Sequence, residues 1–180
     1  MRWFWVDRFE TFIRCQRAVA LKAVTLAEPH LHDHFPGWAT VPNSLVLEGL
    51  AQTAGILAAD AIDYRRQVVL AKVGRAEFQF DAVPGDVLRF EVEIVECSED
   101  GSVLSATSSV AGRPHGTVEL FFGHILQGTE MPKLFSNDEF KCWLDNLGIY
   151  NVAVEEDGTR VSRERVHVSE GASTPATRAD

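Results

Sequence analysis

The stretch HLHDHFPGWATVPNSLVLEGLAQTAG, residues 30–55, decides the reading of the chain. A histidine-rich segment and a Pro36-Gly37 corner precede a second turn ending in Pro42-Asn43, and a long apolar run then opens, interrupted by one carboxylate, Glu48. Leu45, Val46, Leu47, Leu50, Ala51, Ala54, Ile56, Leu57 and Ala58 fall on nearly every side of a helix. That helix is therefore expected to run over residues 44–64, buried all round, with Asn43 as its N-cap. A lone glutamate there is costly unless it is paired, neutralised or lining a cavity. Gln52, one turn further along the same face, could orient Glu48 or satisfy a core polar group.

Working outward, residues 6–13 and 17–25 read as a strand hairpin, behind an aromatic cluster of Trp3, Phe4, Trp5 and Phe9. After the helix come strands over residues 68–80, 87–97, 103–110 and 117–126, with turns at 82–86, 98–101 and 112–116. One long helix and about six strands joined mainly by hairpins predict an α+β domain over residues 1–126, an antiparallel six-stranded sheet wrapped around the central helix. In residues 127–154 the capping box Ser136-x-x-Glu139 precedes Phe140, Trp143, Leu144 and Leu147 at helical spacing, and Gly148 suits the stop. This appended segment is expected to dock a short amphipathic helix. Residues 155–180 are charged and then rich in Ser, Thr, Ala and Pro, and are expected to form a disordered tail.

Composition limits the function. At 180 residues and 46% hydrophobic content the chain suits one globular domain with an appendage. No apolar run is long enough to cross a bilayer, and MRWFWVDRFE lacks the pattern of a secretory signal, so a cytoplasmic location is expected. A net charge of −9 argues against nucleic-acid binding, although Arg65, Arg66, Lys72 and Arg75 leave room for a local basic patch. Cys15, Cys97 and Cys142, odd in number and far apart, indicate neither a disulfide framework nor a thiolate metal site.

HFPG (34–37), then Val41-Pro42, then SLVLEGLAQTAG (44–55) resembles the signature of the beta-hydroxyacyl-acyl-carrier-protein dehydratases, the hot-dog-fold enzymes of fatty-acid synthesis. Glu48 follows His34 by fourteen positions, the spacing at which that family carries its catalytic histidine and carboxylate. FWVDRF (4–9), RAVALKAVT (17–25) and VPGD (83–86) extend the likeness over residues 3–126. Ala39 stands where the family usually has proline, and Asn43 where it has the glycine whose N–H polarises the thioester carbonyl. The resemblance implies His34, Glu48 and Asn43 as catalytic groups, Phe35, Gly37 and Gln52 as substrate contacts, no cofactor and no metal. It also implies acyl carrier protein as the partner bringing the thioester, and a homodimer, with a trimer of dimers as the larger assembly, in which His34 and Glu48 meet from opposite subunits.

The residue types suit that chemistry. Dehydrating a 3-hydroxyacyl thioester means removing a proton at C2, stabilising charge on the thioester oxygen and protonating the departing hydroxyl. Neutral histidine can serve as the base, a carboxylic acid made less acidic by apolar burial as the acid, and a helix N-terminus favours the developing enolate. Asparagine also tolerates the backbone angles that a glycine position demands better than other residues. Two alternatives stand beside this reading: a non-catalytic hot-dog subunit that binds acyl thioesters, and a hot-dog thioesterase, since fold does not fix reaction. The cluster His30-x-His32-Asp33-His34 suggests a metal site but lacks one residue of the zinc hydrolase pattern H-x-H-x-D-H, so His30 and His32 are expected to be surface or loop-packing residues. His115 and His124 have no partner that sequence can supply.

Overall fold

The computed structural model describes residues 4–126 and 137–162. In chain order the elements are β1 (Arg8–Ile13), β2 (Arg17–Ala23), α1 (His30–Asp33), α2 (Asn43–Ala61), β3 (Gln67–Phe78), β4 (Val87–Cys97), β5 (Gly101–Val110), β6 (Arg113–Ile125), α3 (Asn137–Asn146), α4 (Ile149–Val152) and β7 (Ala153–Val154). One sheet holds all the strands in the order β3-β6-β5-β4-β2-β1-β7. The six expected strands pair antiparallel. A seventh, β7, comes from the appended segment and runs parallel to β1, which corrects the expected six-stranded sheet.

Alternation along the strands makes the inner face. Leu88, Phe90 and Val92 of β4, Leu104 and Ala106 of β5, and Val118 and Leu120 of β6 are buried and pack with Val46, Leu50, Ala54 and Leu57 of α2. Each large apolar side chain removed from water contributes roughly 1.5–3 kcal/mol, so this helix-on-sheet layer dominates the stability. Gly49 sets how closely α2 approaches the sheet, because a Cβ there would run into the rings of Phe90 and Trp5.

Three local expectations are corrected. α2 begins at Asn43 itself, with Pro42 in the cap position, and ends at Ala61 because Asp63 and Tyr64 turn the backbone left-handed, with φ of 51° and 55°. The last hairpin turns on Ala111 and Gly112, both at positive φ, a two-residue turn that matches strand twist; β6 therefore starts at Arg113, and Pro114 sits in the strand beside a bulge. Most consequentially, α2 is not buried all round. Asn43 and Ser44 are exposed, and Leu47, Glu48, Gln52, Gly55 and Ile56 are half-buried, because the sheet wraps one side of the helix and leaves the other uncovered.

The appended segment docks against the N-terminal half. Leu144 and Leu147 are buried, Phe140 packs edge-on to Tyr64 at 5.3 Å, and Trp143 packs edge-on to Phe4 at 4.0 Å. Gly148, at φ 70°, follows the end of α3 as expected. Arg14, at the β1–β2 turn, holds Asp60 of α2 at 3.0 Å, Asp63 at 2.8 Å and Glu155 at 3.4 Å, which joins hairpin, helix end and appendage. Residues 155–162, expected to open the tail, turn back on β7 through Glu155 N–H to Thr159 O (2.8 Å) and Val161 N–H to Ala153 O (3.1 Å). The remainder of the expected tail, together with Trp3 and Ser136, lies outside the described residues.

Candidate functional site

The His34 turn leaves α1 and re-enters the core at Val41. Its geometry follows from short local bonds. His34 N–H donates to His30 O at 3.1 Å, Trp38 N–H donates to Phe35 O at 2.9 Å, and Val41 N–H donates to Ala82 O at 2.8 Å in the loop before β4. Gly37, at φ 80°, makes the corner in a backbone region that disfavours side chains. The His34 ring stacks on Phe35, with centroids 4.5 Å apart and planes at 24°. The turn presents a large apolar surface to the outside, with Phe35 62% and Trp38 64% exposed.

Glu48 stands on the uncovered side of α2, with Ser44 one turn before it and Gln52 one turn after. Gln52 Nε2 donates to Glu48 Oε1 at 2.7 Å, and Gln52 Oε1 accepts from the Trp5 backbone N–H at 2.9 Å. The two roles left open for Gln52 are thus both filled. It orients the carboxylate and at the same time satisfies a core backbone donor. Asn43, the first residue of α2, has no partner for its N–H further up the helix, and the helix dipole directs partial positive charge to that end.

Within the single chain, among the described residues, the side chains of His34 and Glu48 make no hydrogen bond or ion pair with each other. His34, Phe35 and Gly37 share one turn, while Asn43, Glu48 and Gln52 share one helix. A histidine base, a held carboxyl and a free helix-start N–H are the parts needed for proton removal, proton delivery and enolate stabilisation.

Around these groups lie partners that the sequence pattern did not reveal. Lys22 is buried, sits 4.8 Å over the Trp5 ring and is paired with Glu28, whose other oxygen lies 3.5 Å from His30 Nε2. The available signal was the lone lysine in the otherwise apolar face Ala18, Ala20, Lys22, Val24. His30 packs inward on Trp5, at 5.2 Å, rather than lying at the surface, whereas His32 is exposed. No group of three His, Cys, Asp or Glu among the described residues is arranged to hold a metal ion. Arg66 is paired with Glu99 and Asp100, and Arg75 with Glu77, so two members of the expected basic patch have carboxylate neighbours. No described helix is long and apolar enough to cross a membrane.

His115 and His124 both find hydroxyl partners. His115 is fully buried between the rings of Phe78 and Phe80, with Nδ1 2.8 Å from Ser108 Oγ, and burial pulls its pKa below the ordinary value. His124 Nε2 lies 3.1 Å from Ser102 Oγ.

Comparison with known proteins gives a concordant result. The model of the FabA-like domain matches residues 6–113. The chain is 39% identical over 94 residues to the 3-hydroxyacyl-[acyl-carrier-protein] dehydratase FabZ of Zymomonas mobilis, covering 51% of this chain and 60% of that one. It is 36% identical over 118 residues to the protein of the same name from Geobacter metallireducens, covering 64% and 79%. Among solved structures, smu.793 from Streptococcus mutans bound to acetyl CoA superposes with a TM-score of 0.57 at 11% identity, over 69% of this chain and 92% of that one, a likeness of fold. The hot-dog architecture implied by the sequence resemblance is present.

Proposed function

We propose that this chain, which belongs to the FabA-like domain family, removes water from 3-hydroxyacyl thioesters carried on acyl carrier protein, yielding trans-2-enoyl thioesters in fatty-acid or related acyl-chain synthesis in the cytoplasm. The observation that carries the reading is the held carboxylate: Glu48 is fixed by Gln52 on the uncovered side of α2, fourteen positions after a histidine on a solvent-facing turn. His34 takes the C2 proton, and negative charge grows on the thioester oxygen beside the Asn43 N–H at the start of α2. Glu48 gives a proton to the departing 3-hydroxyl, the C2–C3 double bond forms and water leaves. Transfer of the proton from His34 to Glu48 resets the pair. Phe35, Gly37 and Gln52 border the path of the acyl thioester.

A two-chain site completes the arrangement. His34 and Glu48 do not meet within one chain, α2 has a half-buried apolar side, and β3 is an edge strand twelve residues long with Val68, Val69 and Leu70 incompletely covered. Antiparallel pairing of β3 with its copy would cover that edge, and the family resemblance implies that His34 of one chain then meets Glu48 of the other. The test is conversion of a 3-hydroxyacyl-carrier thioester by the purified chain, followed by formation of the conjugated enoyl product. Enoyl product supports the dehydratase. Release of free carrier thiol without enoyl product would favour a thioesterase, and saturable binding without either reaction a non-catalytic acyl-binding subunit.

A further inference from the structure

Trp5 is 3% exposed and lies where two supports meet. Its backbone N–H donates to Gln52 Oε1 at 2.9 Å, and Gln52 in turn holds Glu48 at 2.7 Å. Its indole carries the half-buried His30 ring, with centroids 5.2 Å apart, and the His30 carbonyl accepts the N–H of His34 at 3.1 Å. The indole is itself pinned. The Lys22 ammonium lies 4.8 Å over the ring in a cation–π contact, and Lys22 is paired with Glu28, whose other oxygen lies 3.5 Å from His30 Nε2 without a hydrogen bond. Trp5 also packs close against Gly49 of α2, where a Cβ would meet the indole.

We propose that Trp5 is a positioning residue for both proposed catalytic groups, setting Glu48 through Gln52 and the His34 peptide through His30. The inference rests on the dehydratase reading of His34 and Glu48. Trp5 is 3% exposed, and its proposed role is to set geometry. A shift of the indole moves the seat of His30, and with it the carbonyl that fixes where the His34 turn begins. The same shift moves the backbone donor that orients Gln52. Misplacement of a reacting group by about an ångström costs turnover far more than it costs binding.

The test measures kcat, KM and thermal stability of Trp5→Leu, Trp5→Phe, His30→Leu and His30→Phe beside the wild type and Glu48→Gln. Leucine at either position removes the tilted ring contact and is expected to lower kcat about tenfold with KM changed less than about twofold, whereas phenylalanine keeps a flat ring and recovers most of the loss. His30 is half-buried at the start of α1, so its leucine variant removes the same ring contact and tests the inference even if Trp5→Leu does not fold. Leucine variants that fold and turn over within about twofold of wild type, or phenylalanine variants as slow as the leucine ones, would overturn the inference. If Glu48→Gln is inactive while the leucine variants are not, the Trp5 inference alone fails. A wild-type chain with no dehydratase turnover takes down both.

Discussion

Gln52 donates from Nε2 to Oε1 of Glu48 across 2.7 Å, one helical turn apart on the side of α2 that the sheet leaves uncovered. Because Gln52 is itself anchored on the Trp5 backbone, the carboxyl is held from one oxygen, and Oε2 has no hydrogen bond among the described residues. A proton donor fixed on one oxygen and free on the other is what delivery to a departing hydroxyl requires.

Substitution tests the proposed catalytic roles. Glu48→Gln and His34→Ala are each expected to lower turnover by about a hundredfold or more, since each removes a proposed proton-transfer group. Gln52→Leu leaves the carboxyl in place but unheld and is expected to cost about tenfold. Steady-state rates with circular dichroism check all three, and near-normal turnover in Glu48→Gln would remove the carboxyl from the mechanism.

Arg14 ties the β1–β2 turn to the end of α2 and to the appended segment. Its guanidinium is nearly fully buried against Asp60, with further bonds to Asp63, Glu155 and the Asp60 carbonyl. Burial pushes the Asp60 carboxyl above its ordinary pKa, and Arg14 opposes that shift. Arg14→Met leaves Asp60 without its counter-charge and is expected to cost about 3–5 kcal/mol in denaturant unfolding. Adding Asp60→Leu should return most of it, because replacing both members of a buried pair with apolar groups is often neutral.

His115 makes stability depend on pH. Burial lowers its pKa in the folded chain below the ordinary 6.5, so the unfolded chain binds a proton more readily. The contribution is fully present above 6.5, is lost as pH falls from there toward the depressed value, and levels off below it. Asp60, raised by burial, has the opposite sign in a lower window above its ordinary 3.8. Urea unfolding at about pH 7.5 and about pH 5.5 should therefore show a loss of stability that His115→Phe reduces. An equal loss in the variant would assign the effect to other groups.

The sequence carried the central layer well, for identifiable physical reasons. β4 alternates cleanly enough that its bounds, Val87–Cys97, are read without error, and the apolar run behind Pro42 announces α2. Coverage of that helix was misread because an apolar pattern reports that a side chain needs cover, not which chain supplies it; Leu47 and Ile56 are half-covered by this one. β7 escaped because a two-residue strand has no period, and its pairing with Phe12 and Ile13 depends on the distant docking of α3 and on Arg14. The turn at Ala111-Gly112 was placed too late because Pro114 and Gly116, usual turn residues, sit instead in a bulged strand. At the site, the pairing of Glu48 with Gln52 one helical turn on was legible from their spacing, whereas the inward packing of His30 on Trp5 arises between segments far apart in sequence.

If His34 of one chain works with Glu48 of another, mixing two inactive variants restores turnover. His34→Ala and Glu48→Gln are denatured, combined in equal amounts and refolded together, and turnover is compared with each variant refolded alone. A mixed dimer holds one site lacking both groups and one site with both intact, so random pairing predicts recovery of about a quarter of wild-type activity. Turnover no higher than that of the separate variants, with mixed dimers demonstrated by size and mass, would contradict the shared site.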